Sequence, residues 1–214
     1  MLDGNCLEAR ERRLHVLRTV QAGALPGTSL VVYEPSEGLV SDVFPGEDGH
    51  AQARALVGQV VETGHPHDRW MHDRHYCTGA LLSAMHRPEA RLLTRQHDGL
   101  LYEARTAWRP AGRIATGQVA EQRVHVRDPQ GQVQRFRRIQ VLLDQATRDG
   151  DRERALLTHL PAYTVSAQRV ARLYRQRWTL ATAFQHLEAS FHSELNTLGY
   201  PKAALLGLCL ALVA

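Results

Sequence analysis

Lysine is almost missing from this chain of 214 residues: of its 26 basic residues, Lys202 alone is lysine and the rest are arginine. Arginine carries a planar fork of donors that grips phosphate or carboxylate oxygens in pairs, although a GC-rich gene would produce the same bias without any selection for anions. Cysteine is scarce. Cys6, Cys77 and Cys209 are odd in number and lie 71 and 132 residues apart, which excludes a disulfide framework and offers no zinc-ligand spacing. They read as reduced thiols of a cytoplasmic protein. No basic leader with an apolar stretch and a small-residue cleavage site opens the chain, so secretion is unsupported. Long apolar runs are lacking too: the stretch 203–214 holds 12 residues, against ~20 for a membrane-spanning helix.

What is present can bury one substantial core, with room for an insertion. The net charge of +4 suits a polyanionic partner, modestly. Leu7, Leu14 and Leu17 among many charges predict a surface helix over 7–20, ended by Leu25-Pro26-Gly27. Residues 29–33 and 38–44 are β-rich runs around the turn signal Pro35-Ser36-Glu37-Gly38 and predict a hairpin. A helix is expected over 51–61, a short strand over 69–72 with Asp73 at its end, a helix over 79–86 and a strand over 91–95. From 101 to 138 the pattern becomes Gly-punctuated β, with Arg123-Val124-His125-Val126-Arg127 alternating before the turn Asp128-Pro129-Gln130-Gly131. Between residues 101 and 140 eight Arg stand against Glu103, Glu121 and Asp128, a local charge of +5. This segment is the expected phosphate-contacting surface; an exposed sheet face decorated with Arg is the plainer reading. An apolar strand over 155–160 and a long helix over 166–192, with Val170, Leu173, Leu180, Phe184 and Leu187 as its buried stripe, complete the pattern. Periodicity alone gives an α/β class.

The most informative stretch is Tyr174-Arg175-Gln176-Arg177-Trp178-Thr179-Leu180-Ala181. On a helix at about 100° per residue, Tyr174, Arg177, Ala181 and Glu188 fall within an arc of roughly 60° and form one face. The spacing resembles a helix motif (Y, two residues, R, three residues, E, six residues, K) of the DDE transposases of the insertion-sequence IS-four family. Here Ala181 stands for the Glu and Glu188 for the Lys. Leu2-Asp3-Gly4-Asn5, Trp70-Met71-His72-Asp73-Arg74 and Asn196-Thr197-Leu198-Gly199-Tyr200-Pro201-Lys202-Ala203-Ala204 also resemble that family, in the expected order.

The resemblance implies a ribonuclease-H-like α/β fold, a mixed sheet flanked by helices with acids at the ends of its first and fourth strands. The catalytic core would run over 1–98 and 145–214, interrupted by a β-rich insertion over 99–144 before the last catalytic helix. The implied activity is transposition by metal-dependent DNA strand cleavage and transfer, with Mg²⁺ (or Mn²⁺) held by Asp3 and Asp73 as the first two carboxylates. Tyr174 and Arg177 would support the site and contact DNA phosphate. DNA, as transposon ends and target, is the implied partner, with a homodimer assembled on it. Position 181 should carry the third carboxylate. Glu188 lies about 10.5 Å further along the helix axis, too far to replace it, and puts negative charge where the family has a cation. The expectation is a site that binds at most one metal well and cuts DNA poorly or not at all. A partial copy is also expected, because Met1-Leu2-Asp3 would already be the first strand, with no end-recognising segment ahead of it, and 203–214 stops without a cap.

Taken as bare residues, Asp3 beside Gly4 is a turn aspartate, Asp73 pairs with Arg69 or Arg74, Tyr174 packs in a core and Arg177 is a solvated charge. Two other functions compete. One is a catalytically silent DNA-binding remnant. The other is a metal-binding hydrolase or zinc site built from His65-Pro66-His67-Asp68 with His72, His75 and Cys77, which lacks a second Asp-His pair and has a single ligand arm. Trp108, on the insertion, is a candidate to stack on an extruded base; Trp70 and Trp178 suit core packing.

Overall fold

The structure, a computed structural model, describes residues 1–6, 28–46, 53–85, 90–177 and, near the C-terminus, 206, 207, 209–211 and 213. It is mixed α/β and divides into two compact units, Met1–Thr63 with Trp178–Ala214, and Gly64–Arg177. The helix expected over 7–20 lies outside the described residues.

In the first unit, β1 (Leu2–Cys6), β2 (Thr28–Glu34) and β3 (Leu39–Gly46) form an antiparallel sheet with β2 in the middle. The run Leu30-Val31-Val32 in β2 is buried throughout, as befits a strand covered on both faces. The predicted hairpin is present, and its turn closes on Gly38 at φ +69°, a left-handed conformation open to glycine at no steric cost. Asp3 stands inside β1 opposite Val31 and not at the strand's end, because β2 pairs with β1 through Cys6. A 3-10 turn (Ala53–Leu56) leads into α1 (Val57–Thr63), which buries Val57 and Val60.

The second unit holds a seven-stranded mixed sheet of β4 (Arg69–His72), β5 (Arg91–Arg95), β6 (Glu103–Ala104), β7 (Arg109–Ile114), β8 (Gly117–Arg127), β9 (Val133–Leu143) and β10 (Glu153–Thr158). The spatial order is β4-β5-β10-β9-β8, and β8 pairs β7 through its first half and β6 through its second. β4 and β5 run parallel, as a crossover containing α2 (Gly79–Ala84) allows. The other pairings in this unit are antiparallel.

α3 (Ala167–Arg175) starts at Ser166, whose hydroxyl accepts a hydrogen bond from the Arg169 N–H at 3.2 Å. Ala167, Val170, Ala171 and Tyr174 recur at helical spacing and bury against Leu93, Ile114, Val119, Ile139, Val141 and Leu156. The helix expected over 166–192 is thus described from Ala167 to Arg175; residues 178–205 lie outside the described residues. No helix among the described residues is long and apolar enough to cross a membrane.

One face of the β8–β9 ribbon changes character along its length. Val119 opposite Val141 lies beneath α3, whereas Arg123 opposite Arg137 and His125 opposite Arg135 continue the same face beyond it. At the head of the ribbon, a Cβ on Gly117 would sit 1.9 Å from the Leu142 carbonyl oxygen, a backbone atom that cannot swing away. Gly117→Ala is expected to cost about 2 kcal/mol or more, read as a fall in thermal midpoint of about 4–8 °C. An unchanged midpoint would mean that the strands approach less closely than described.

Candidate functional site at Asp73

Asp73 follows directly on β4 and caps the 3-10 turn Arg74–Tyr76. Its Oδ1 accepts from the Arg74 N–H at 2.7 Å and, more weakly, from the Tyr174 hydroxyl at 3.3 Å. On the other side Arg177 Nη2 lies 4.0 Å from Oδ2. The Asp73 side chain is 30% exposed and that of Arg177 9%, so this carboxylate has an open side while the cation beside it is held in place. Burial, and then the Asp73 charge, push the Tyr174 phenol well above its usual range, which keeps it protonated as a donor.

The support beneath Asp73 is polar and buried. The Thr94 hydroxyl on β5 reaches the carbonyl oxygens of Asp73 at 3.3 Å and Arg95 at 3.1 Å. His72, on the opposite face of β4, is fully buried and its Nδ1 lies 3.3 Å from the Asp73 carbonyl oxygen. Burial pushes this imidazole down to about 4, so it is neutral at physiological pH, and its Nε2 has no hydrogen-bond partner among the described residues. Further cations surround the group. Arg95 pairs with Asp151 at 2.6 Å. Arg154 on β10 has its guanidinium pKa lowered by burial and by the like charges of Arg95 and Arg177, against the pull of Tyr174 and Asp151.

Of the residues singled out from the sequence, Asp73, Tyr174 and Arg177 come together across 101 positions or more. Arg74 engages Asp73 through its backbone N–H, and no Arg69 ion pair to Asp73 occurs among the described residues. Asp3 belongs to the first unit and its side chain lies outside the described residues, as do Ala181 and Glu188. No group of three or more His, Cys, Asp or Glu side chains among the described residues is placed to hold a metal ion. The histidine-rich stretch does not converge: His65, His67 and His75 are exposed while His72 and Cys77 are buried. Trp108 is engaged by Arg138, whose guanidinium lies 4.9 Å from its ring and 4.8 Å from that of Tyr102. Trp70 lines a groove with Arg69, Arg91 and Tyr163, and Trp178 lies outside the described residues.

No protein-family model matches this sequence, and no curated protein does. The site therefore stands on its own geometry.

Sequence reasoning missed Arg95, Asp151 and Arg154. For Arg154 a signal existed: it stands two residues before Leu156, and alternation puts it on the same apolar face of the strand.

Cys77 closes the turn that Asp73 begins, with its N–H donating to the Arg74 carbonyl oxygen at 2.9 Å. Burial pushes its thiol up to about 11, against hydrogen bonds from the His97 backbone and Thr94. The thiolate is the reactive form, so native Cys77 is expected to resist alkylation while exposed Cys209 reacts. Since the unfolded thiol ionises first, the fold loses this contribution as pH rises from 9.0 towards about 11. Labelling of native Cys77 at the rate of Cys209, followed by mass spectrometry, would show that the turn is not closed.

Proposed function

We propose that the chain is a DNA-binding descendant of the DDE transposases of the insertion-sequence IS-four family, with a ribonuclease-H-like core, that cuts DNA poorly or not at all. The observation that carries this reading is the meeting of Asp73 with Tyr174 and Arg177, the residues that the family resemblance assigns to one site. The element order supports it as well: three antiparallel strands, a helix, then two parallel strands joined through a helix.

The family resemblance implies Mg²⁺ or Mn²⁺ at Asp3 and Asp73. Within the group around Asp73 there is one carboxylate, one of its oxygens already accepts two hydrogen bonds, and Arg177 stands beside the other. Hard divalent ions want several oxygen ligands, so the described residues do not fit a two-ion centre. Ala181 takes away the carboxylate that the motif would have added. Calorimetric Mn²⁺ titration should therefore give weak binding to the unaltered chain, stronger or additional binding to Ala181→Glu, and loss in Asp73→Asn. If neither substitution changes binding, Asp73 and position 181 do not face a shared ion. Efficient Mg²⁺-dependent nicking by the unaltered chain would also sink the reading.

DNA as partner is supported by the basic end of the β8–β9 face. Arg105, Arg123, His125, Arg135 and Arg137 line a concavity of about 560 Å³ there. Neither Arg123 nor Arg135 has an ion-pair partner among the described residues. Each phosphate neutralised contributes about 0.9 to the slope of log affinity against log salt on duplex DNA. The double substitution Arg123→Gln/Arg135→Gln is expected to weaken DNA binding and to reduce that slope by about 1.8. An unchanged slope would place the DNA elsewhere.

A further inference from the structure

A cavity of about 470 Å³ lies under the C-terminal end of α3, between the helix and strands β7, β9 and β10, within the usual range of ~300–1,000 Å³ for small-molecule sites. Ile114, Val141 and Leu156 lie buried beneath it, its accessible apolar wall is Ala115, Leu143 and Ala146, and its rim carries Thr116, Thr147 and Arg175. Arg154 also lines it. On β10 this residue stands opposite Val141 and one alternation from Leu156, which is 1% exposed. A guanidinium thus occupies the helix-covered face beside hydrocarbon, within reach of the like charges of Arg95 and Arg177.

No hydrogen bond or ion pair among the described residues engages the Arg154 side chain. The acids near it are committed: Asp151 to Arg95 at 2.6 Å and Asp144, on the cavity wall, to Arg113 at 2.5 Å. A half-buried charge without a partner is costly, and the cost is relieved when an anion supplies the missing hydrogen bonds. The guanidinium fork matches phosphate oxygens, Arg175 adds a second positive charge at the rim, and the accessible apolar wall suits the apolar face of a base.

We infer that this cavity binds a nucleoside monophosphate, with Arg154 gripping the phosphate and the base lying against Ala115, Leu143 and Ala146. The site does not rest on the reading of Asp73, since Arg154 is no part of the transposase motif, and it stands whether or not Asp73 takes a metal.

The test is calorimetry of the whole chain with AMP, inorganic phosphate and adenosine, without divalent metal. AMP is expected to bind more tightly than phosphate, and adenosine at least about tenfold more weakly than AMP, the loss that accompanies a missing charged hydrogen bond. Arg154→Gln should lose AMP binding to a similar degree, Arg154→Lys should keep part of it, and Arg172→Gln, on the exposed side of α3, should keep all. The AMP–adenosine comparison needs no variant, so it decides the matter even if Arg154→Gln fails to fold. Adenosine binding as tightly as AMP, or full AMP affinity in folded Arg154→Gln, overturns the inference. A short single strand with a 5′-phosphate that displaces AMP, where its unphosphorylated form does not, makes the ligand a strand end. If neither strand competes, the ligand is the free nucleotide.

Discussion

The placement of α3, and with it Tyr174 and Arg177, depends on one largely buried ion pair. Arg137 on β9 meets Glu121 on β8 through Nε at 3.0 Å and Nη2 at 2.8 Å. Its Nη1 then donates to the carbonyl oxygens of Leu160 and Val165 at 2.7 and 2.9 Å. Those carbonyls belong to the turn that leads from β10 into α3, so one guanidinium ties the ribbon, the turn and the start of the helix together. Exposed ion pairs contribute little, but here the two side chains are 10% and 18% exposed. Removing one member of such a pair strands the other without a partner, at a cost on the order of 3–5 kcal/mol. The pair also marks the border on the ribbon face, with apolar residues under α3 on one side and the basic surface on the other.

With the helix fixed, the protein itself surrounds the Asp73 side chain with donors and a cation. A backbone N–H and a phenol donate to one oxygen, and Arg177 attracts the other from 4.0 Å. At that separation two unit charges in a medium of effective dielectric ~20 interact by about 4 kcal/mol. A divalent ion bound to Asp73 would come close to Arg177 and be repelled on a comparable scale. In a site with three carboxylates the extra negative charge outweighs that repulsion. The described residues offer no such group.

Local patterns made part of the fold legible. The Pro-Ser-Glu-Gly turn, the short strands 69–72 and 91–95 and the Ser166 cap each announce themselves within a few residues. Motif spacing put Tyr174 and Arg177 on one helix face, while their meeting with Asp73 is an expectation of the family resemblance alone. The start of β10 did not show: the strand begins at Glu153, because pairing with β9 overrides the charge that makes Glu153 and Arg154 look like loop. Nor did the change in β8, where the buried residues pass from Gly117 and Val119 to Gln122, Val124 and Val126. That switch depends on which helix or strand covers each end of the ribbon, a tertiary fact with no signature in β8 itself. Arg137–Glu121 and Arg95–Asp151 were hidden for the same reason, since their partners lie 16 and 56 residues apart.

The arginine bias of the composition can now be weighed residue by residue. Arg137 and Arg95 are committed to buried or half-buried acids, and Arg138 lies between two aromatic rings with Gln96 accepting from its Nε at 2.6 Å. These positions use the planar fork for architecture and would be poorly served by lysine. Arg123, Arg135 and Arg154 differ: the described residues supply no ion pair for them, and Arg123 and Arg135 stand directly across from Arg137 and His125. Like charges in opposed cross-strand positions are destabilising, and Arg123–Arg137 is such a pair, offset in part by Glu121 beside Arg137. A coding bias accounts for the choice of arginine over lysine but not for cations concentrated on one sheet face against their mutual repulsion. An anion from outside the chain would remove that cost at the ribbon, and would by the same physics offset the repulsion of Arg154 by Arg95 and Arg177.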